Sequence, residues 1–356
     1  MTVLLPINQW FSQQGWKPIP FQKKTWKAYL AGESGIIQVP TGSGKTYGAV
    51  MGPMAQILAE IEKTGKPLSG LRVLYITPLR ALSRDIEASI RRPIEEMDWP
   101  ITVESRTGDT KSSVKSRQIK KMPNILITTP ESLAVLLSYK NSAKRFSDLR
   151  CVILDEWHEL MASKRGTQAE LCMSRLRELN PSVQTWAISA TLGNLQEAAE
   201  AATGVETQPV VVQSKIDRKT VITSVMPDSV DSFPWAGHLG LHMFEALVEV
   251  LDIERSTLIF TNTRSQSERW YQALTFSMPE DGHRIALHHG SIDFEARLAI
   301  EAGLKSGDIK WVVCTSSLDL GVDFQPVERV VQIGSAKNLA RLLQRAGSQT
   351  PPRTAR

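Results

Sequence analysis

The 356-residue chain has few cysteines and no long apolar run. Its three cysteines, Cys151, Cys172 and Cys314, are scattered, and none has the spacing of a Cys-X-X-Cys or Cys/His metal site. This pattern excludes a disulfide framework and indicates reduced thiols in a buried core. The apolar runs are strand-sized, far short of the ~20 residues that a membrane-spanning helix needs. The N-terminus lacks a basic segment, so we expect no signal peptide, no membrane association and a cytoplasmic location.

Charge is nearly balanced over most of the chain. The formal net charge of +5 comes from residues 329–356, which contain six basic residues and no acidic ones. The remainder has 36 basic and 37 acidic residues, so any nucleic-acid binding must depend on local patches. One basic cluster is either a solvated helix face or such a patch. Its members are Lys111, Lys115, Arg117, Lys120 and Lys121.

Short apolar runs alternate with longer amphipathic stretches, a pattern that predicts an α/β fold with parallel sheets covered by helices on both faces. The predicted strands are residues 35–39, 72–77, 125–128, 150–154, 185–189, 257–261, 284–288, 310–314 and 329–333. The predicted helices are residues 46–62, 80–90, 168–179, 240–251, 266–276 and 294–305. At about 150 residues per domain, the length predicts two domains in tandem. We place them at residues 1–208 and 237–347, with a linker at 209–236 and an atypical basic tail at 348–356.

Residues 39–46, Val-Pro-Thr-Gly-Ser-Gly-Lys-Thr, follow a predicted strand and open a predicted helix. Gly42 and Gly44 let the backbone curl so that N–H groups face phosphate oxygens at the positive end of a helix. Lys45 can neutralise the β- and γ-phosphates, and the Thr46 hydroxyl can bind Mg²⁺. Although Val39 replaces the first glycine of the general pattern, this context predicts a phosphate loop rather than an ordinary glycine-rich turn.

An acidic pair stands about 110 residues further along, at the end of the strand predicted at 150–154. Asp155 is placed to hold the metal ion, and Glu156 is placed to act as general base for the attacking water. Such a pair alone is often only a turn, but together with Lys45 and Thr46 it predicts a catalytic site. His158, which we count among the predicted catalytic residues, either links this site to a neighbouring element or is a structural histidine.

The ordered series of motifs resembles that of superfamily 2 helicases of the DExH-box type. The matching segments of the first half are Phe21-Gln22 and residues 40–46, 77–82, 107–109, 129–133, 155–158 and 189–191. Those of the second half are residues 259–264, 288–291, 315–323 and 344–347. The forms Asp-Glu-Trp-His, Thr-Asn-Thr-Arg and Leu-Asp-Leu-Gly-Val-Asp are similar to the Lhr (large helicase-related) family. Within it, the chain looks most like the bacterial ligase-associated DExH helicases linked to DNA repair.

The resemblance implies two RecA-like domains with ATP and Mg²⁺ in the cleft between them, and single-stranded nucleic acid lying across both domains. It implies 3′-to-5′ translocation on DNA with unwinding. The further residues implied to bind the nucleotide are Gln22, Thr41, Ser43, Gly321 and Asp323. Gln344 is implied to be catalytic, and Ser189 and Thr191 are implied to couple the two activities. The residues implied to grip nucleic acid are Thr77, Arg80, Gly108, Thr129, Ser132, Thr261, Asn262, Arg264 and Thr315.

The chain departs from the family pattern after Gly347, where Ser348 stands in place of the arginine finger. On this basis we expect a second domain that is incomplete at its C-terminus and a product truncated within the last motif. Two functions therefore stay open. The first is an ATP-dependent DNA helicase or translocase core with single-stranded or partly duplex DNA as partner, RNA being possible, and with ligase or nuclease partners in repair. The second is an ATP- and nucleic-acid-binding remnant with little or no turnover. An oligomeric AAA-type ATPase is disfavoured because it would not need the second domain.

Overall fold

The structure, a computed structural model, describes residues 2–40, 42–78, 80–161, 163–190, 192–214, 221–225, 243–318 and 327–336, together with residues 342 and 345. The chain forms two compact units, Met1–Ile216 and Asp217–Arg356. Each unit is built around its own parallel sheet. The predicted α/β class with two tandem parallel-sheet domains is therefore confirmed.

The first unit contains a seven-stranded sheet in which every paired strand is parallel. Its strands are β1 (Gly35–Gln38), β2 (Val73–Ile76), β3 (Val103–Arg106), β4 (Ile125–Thr128), β5 (Cys151–Leu154), β6 (Gln184–Ser189) and β7 (Val210–Gln213). They lie in the order β3-β4-β2-β5-β6-β1-β7. Because all strands run the same way, the loops that follow β1, β2, β4, β5 and β6 meet at one edge, where parallel α/β sheets bind their ligands.

Ten helices accompany this sheet in the described residues. They are α1 (Leu5–Gln13), α2 (Pro20–Leu30), α3 (Lys45–Thr64), α4 (Arg80–Glu96), α5 (Ser112–Lys120), α6 (Pro130–Ser138), α7 (Ser142–Phe146), α8 (Trp157–Met161), α9 (Lys164–Leu179) and α10 (Leu195–Thr203). Local signals set several of their starts. The Thr129 hydroxyl accepts a hydrogen bond from Ser132 N at α6, and Ser163 caps α9 in the same way. Pro20 lies in the first turn of α2, where its missing N–H costs nothing.

Strands β3 and β7 were not predicted from the sequence, and both lie at sheet edges. β3 reads Val-Glu-Ser-Arg and is only half-buried at its centre, so it lacks a continuous apolar run. β7 falls inside the segment expected to be the linker, yet it pairs with β1 in register from Gly35–Val210 to Gln38–Gln213. Edge strands bury one side poorly, and hydrophobic patterning identifies them poorly for that reason.

One hydrophobic core of the first unit lies between the sheet and α6, α8, α9 and α10, and further buried apolar residues lie on α3. Trp157 is fully buried there and donates its indole N–H to Ala198 O at 2.8 Å, which satisfies its one polar group. A second cluster of aromatic rings in edge-to-face contact joins α1, α2 and α3 near the N-terminus. The three cysteines are free and buried, which agrees with the expected reduced thiols.

The second unit has a four-stranded parallel sheet of order β11-β8-β10-β9. Its elements are α11 (Phe244–Val250), β8 (Thr257–Phe260), α12 (Arg264–Ser277), β9 (Ile285–His288), α13 (Phe294–Ser306), β10 (Trp311–Cys314) and β11 (Arg329–Gln332). All four strands and three helices of this part were predicted to within a few residues. In neither unit does any described helix combine the length and apolar character required to cross a bilayer.

Helix α9 starts unusually close to the end of α8, and Gly166 makes this possible. A side-chain carbon at position 166 would overlap the carbonyl group of Leu160. We expect Gly166→Ala to lower the free energy of unfolding by about 1–3 kcal/mol through this clash, although alanine favours helices elsewhere. Urea unfolding of the two proteins measures the change. Gly193→Ala is the control because a side-chain carbon there meets nothing within 4 Å, and equal effects of the two substitutions would contradict the prediction.

Candidate active site and nucleic-acid loops

The phosphate loop between β1 and α3 has the backbone that an anion site requires. Gly42 and Gly44 have φ values of 72° and 77°, in the left-handed region that favours glycine. The Ser43 hydroxyl donates to Pro40 O at 2.6 Å and closes the turn. Gly44 is the N-cap of α3, so the free N–H groups and positive end of this 20-residue helix lie at the loop.

Gln22 holds the phosphate loop against α2. Its side-chain oxygen accepts from Ile19 N at 2.9 Å, and its Nε2 donates to Gly44 O at 3.0 Å. The side chain is buried, and both ends of its amide bind the protein itself. Each end of the amide can still form one further hydrogen bond. Contact between Gln22 and an adenine is therefore compatible with this geometry and stays a prediction.

A buried ion pair joins the phosphate loop to the acidic pair. Lys45 Nζ pairs with Glu156 Oε1, and their side chains are only 11% and 5% exposed. Burial alone would lower the pKa of Lys45, but the carboxylates of Glu156 and Asp155 raise it. Glu156 has a φ of 46°, a strained conformation for a residue with a long side chain. Such strain is maintained where the surroundings impose it, most often at functional sites.

Asp155 lies on the same buried side of the sheet and has an unusual acidity. Burial raises the pKa of Asp155 to about 6, against the opposing attraction of Lys45 and with a further increase from Glu156. One carboxylate oxygen accepts from Glu156 N at 2.9 Å. The raised pKa of Asp155 thus reflects burial first, and then the charges of Lys45 and Glu156.

Tyr75 is a member of this site that the sequence analysis missed. It lies on β2 in register with Ile153 of β5, two residues before Asp155, and is fully buried. Its hydroxyl is near both Asp155 and Thr46, and burial followed by the charge of Asp155 raises its pKa well above the ordinary value. Within the described residues it completes no hydrogen bond of ordinary geometry. A lone tyrosine in an apolar strand gives no signal from sequence alone, because the register that places it beside Asp155 is tertiary.

The donor set suits Mg²⁺ carried by a nucleotide better than a resident metal. Among the described residues, no group of three or more His, Cys, Asp or Glu side chains could hold a metal ion by itself. Asp155 offers one carboxylate, and the Thr46 hydroxyl is also near Tyr75. One carboxylate, one hydroxyl and the oxygens of a bound phosphate are the ligands that Mg²⁺ usually takes in nucleotide sites.

His158 connects the acidic pair to β6. Its Nδ1 lies 3.0 Å from Ser189 Oγ and 3.6 Å from Glu156 Oε2, and its side chain is buried. The direction of the Ser189 hydrogen bond depends on the imidazole tautomer. The two residues predicted to act in catalysis and coupling are therefore in contact.

In the first unit, the residues predicted to grip nucleic acid differ in their exposure to solvent. Thr77 is fully buried and Thr129 nearly so, and contact with a strand would require their loops to move. Ser132 is half-buried at the start of α6. Arg80 is exposed and pairs with Asp109 at 2.9 Å, with its guanidinium directly over Gly108. The basic cluster around α5 is mostly exposed, with Arg117 paired to Glu104 at 2.9 Å.

In the second unit, the predicted grip residues follow β8 and β10. The Thr261 side chain is buried and donates to Thr263 O at 3.1 Å. Asn262 is half-buried, with its N–H bound to Gln266 Oε1, and Arg264 is exposed as the first residue of α12. Thr315 lies just after β10. The remaining predicted site residues, Thr41, Thr191, Gly321, Asp323 and Gln344, fall outside the described residues.

Comparison with known proteins identifies families for both units. The DEAD/DEAH box helicase family matches residues 19–198, and the helicase conserved C-terminal domain matches residues 242–349. The ATP-dependent helicase Lhr-Core protein 2 of Thermococcus barophilus is 36% identical over 359 residues, which cover 96% of this chain and 41% of that protein. The ATP-dependent helicase Lhr-Core of Methanocaldococcus jannaschii is 34% identical, with the same two coverages.

A solved structure gives the same result. The helicase Lhr of Mycobacterium smegmatis, bound to ssDNA and AMP-PNP, matches with a TM-score of 0.79 and 29% identity. The match covers 97% of this chain and 46% of that protein. The chain thus spans less than half the length of these relatives.

The raised pKa of Asp155 predicts a pH-dependent cost to stability. Between pH ~4, where an ordinary aspartate titrates, and pH ~6, the Asp155 carboxyl group binds more protons in the folded state than in the unfolded state. The free energy of unfolding therefore falls as the pH rises through this range. Asp155→Asn removes this titration but keeps an oxygen for Glu156 N. We expect it to stabilise the nucleotide-free protein more at pH 8 than at pH 4.5, by on the order of 2 kcal/mol.

Urea unfolding at the two pH values measures this difference. The control is Asp148→Asn, since the Asp148 side chain is 51% exposed. A stabilisation by Asp155→Asn that is the same at both pH values would contradict the prediction.

Proposed function

Because the chain belongs to the DEAD/DEAH-box helicases and is similar to the Lhr-Core proteins, we propose that it hydrolyses ATP to move along a single strand of nucleic acid. The observation that carries this proposal is the buried contact of Lys45 with Glu156, beside Asp155. The same sheet edge bears the grip loops, which are the loops after β2, β3 and β4 that contain the residues predicted to grip nucleic acid. A phosphate loop and an acidic pair in this arrangement fit nucleoside triphosphate hydrolysis.

Nucleotide binding would begin with a change of partner at Lys45. The β- and γ-phosphates compete with Glu156 for the ammonium group, and the N–H groups at the start of α3 bind the same phosphates. The exchange keeps the buried ammonium charge paired, which matters because removal of one partner from a buried pair costs about 3–5 kcal/mol. Its second effect is to release Glu156.

A released Glu156 carboxylate is suited to act as general base. It can accept a proton from the water that attacks the γ-phosphate, while His158, 3.6 Å away, limits the positions that the carboxylate adopts. Asp155 and Thr46 would hold Mg²⁺ carried by the nucleotide, which would neutralise charge on the phosphates. Ionisation of Asp155, whose pKa is about 6, favours this binding above that pH.

Contacts between the acidic pair and neighbouring strands support a coupling of ATP hydrolysis to strand binding. The Ser189–His158 contact joins β6 to the acidic pair, and β6 leads into the segment that resembles the coupling motif. Threonine, serine and arginine side chains in the grip loops suit phosphates and sugars rather than base edges. This favours movement along a strand without sequence preference.

The substrate class and cellular role rest on resemblance. The Mycobacterium smegmatis relative was solved with ssDNA, and we take single-stranded or partly duplex DNA as the first substrate to test, with RNA as the second. A role in DNA repair, with a ligase or nuclease as partner, is proposed from the likeness to ligase-associated helicases. Because the chain spans 41% of its curated relatives, the activities of those whole proteins are likewise proposals for it.

We expect ATP hydrolysis that single-stranded DNA stimulates, and Glu156→Gln is expected to reduce the rate by about 10²–10⁴ through loss of the general base. Binding of a fluorescent ATP analogue should persist in this variant. Steady-state phosphate release with and without oligo(dT) measures the effect.

Glu178→Gln is the matched control, because Glu178 is an exposed glutamate of α9. Nucleotide and DNA binding without any hydrolysis by the wild-type chain would instead support the alternative, a binding remnant. An unchanged rate in Glu156→Gln would contradict the assigned general base.

A further inference from the structure

Arg165, in the first turn of α9, contacts two of the grip loops at once. Its Nη1 donates to Pro78 O at 3.0 Å, in the loop after β2. Its Nε pairs with Glu131 Oε1 at 2.6 Å, in the first turn of α6. None of the motifs singled out in the sequence contains Arg165.

Glu131 lies two residues after Thr129, in the first turn of α6. Burial opposes ionisation of Glu131, but its own backbone N–H, the nearby Thr129 hydroxyl and Arg165 together lower its pKa. Thr129 is the N-cap of α6, with Ser132 N donating to its hydroxyl. The guanidinium of Arg165 is thus one contact from the helix turn that Thr129 caps and one contact from the backbone beside Thr77.

The start of α9 is in turn fixed to the acidic pair. Leu160 N donates to Glu156 O at 3.3 Å within the short helix α8. Gly166 N donates to the Ser163 hydroxyl, and its α-carbon packs on the Leu160 carbonyl group. Only eight residues separate Glu156 from Arg165. The described residues among them form α8 and lead directly into the start of α9.

The geometry of this contact matters more than its strength. Both side chains of the pair are nearly half-exposed, at 48% and 46%, and such pairs contribute little to stability. A guanidinium, however, is a rigid planar fork whose two bonds fix the relative position of two partners, which a lysine cannot do. The contact therefore defines the spacing between the Pro78 and Thr129 loops without adding much to the free energy of unfolding.

We propose that Arg165 is a positioning residue that sets the spacing of these two grip loops and thereby links strand binding to the acidic pair. The proposal rests on the proposed function, translocation on a single strand. Arg165 acts through Pro78 O and Glu131 and makes no contact of its own with phosphate. Its loss is expected to weaken the response to the strand while ATP binding is kept.

The test compares Arg165→Ala, Arg165→Lys and Glu131→Ala with Arg175→Ala. Arg175 is the matched control because it lies on the same helix, is equally exposed and, among the described residues, pairs with its helix neighbour Glu178. We measure oligo(dT)-stimulated hydrolysis, oligo(dT) binding as a function of salt, and amide hydrogen exchange of residues 80–83 and 131–133 without any ligand.

For Arg165→Ala we expect about a tenfold higher oligo(dT) concentration at half-maximal stimulation. The basal rate and the KM for ATP should stay within about twofold of wild type, a range smaller than a typical coupling effect. Arg165→Lys should recover less than half of the loss, and Arg165→Ala combined with Glu131→Ala should be no worse than Arg165→Ala alone. Exchange in both segments should quicken in Arg165→Ala and not in Arg175→Ala.

The salt dependence separates positioning from direct contact. A residue that only positions the loops leaves the slope of log K against log salt unchanged, whereas loss of one phosphate contact reduces it by about 0.7. A reduced slope, full rescue by lysine, or exchange that matches Arg175→Ala would each overturn the proposal. Failure of the wild-type chain to bind or respond to oligo(dT) would overturn the proposed function instead, and the exchange measurement would still decide whether Arg165 fixes the loops.

Discussion

The buried ion pair between Lys45 and Glu156 is the interaction on which the active site depends. It joins α3, the helix that follows the phosphate loop, to the turn after β5, and both side chains are almost wholly removed from water. Neither charge can remain buried alone at an acceptable cost. Lys45 consequently needs an anionic partner, and a phosphate group is a natural replacement for the glutamate. In the proposed function, nucleotide binding and release of Glu156 as general base are therefore one event.

The parallel sheet supplies the positions for this pair and for its neighbours. Strands β1 and β5 are separated by β6 alone, so the phosphate loop and the acidic pair are close at the carboxyl edge. Strand β2, on the other side of β5, brings Tyr75 beside Asp155 and sends Pro78 toward Arg165. Adjacent strands therefore place the phosphate loop, the acidic pair and the loops predicted to grip nucleic acid along one edge. In the proposed function, a conformational change after β5 or β6 would reach those loops through packed backbone and fixed side chains.

Much of the site followed from the sequence because phosphate chemistry constrains short stretches of chain. Glycines at 42 and 44, followed by Lys45 and Thr46, are required together by a curled backbone and a charged ligand. Gln22 was found by resemblance, but its two bonds to the backbone of residues 19 and 44 were not foreseen. Thr77 and Thr129 were predicted as grips and are buried here, since a motif fixes residue types but not their exposure. Strands β3 and β7 escaped prediction because edge positions relax the demand for apolar residues.

The sequence by itself determined the α/β class and the two successive parallel-sheet series, and it predicted which residues form the phosphate loop and the acidic pair. These depend on local periodicity and on residues adjacent in the chain, and a linear pattern carries that information. Only the tertiary structure decided that Tyr75 lies near Asp155 and Thr46, and that Arg165 contacts both Pro78 O and Glu131. Those contacts arise from strand order, register and the close packing of α9 on α8. They join residues 29 to 87 positions apart, whose proximity exists only after the sheet has formed.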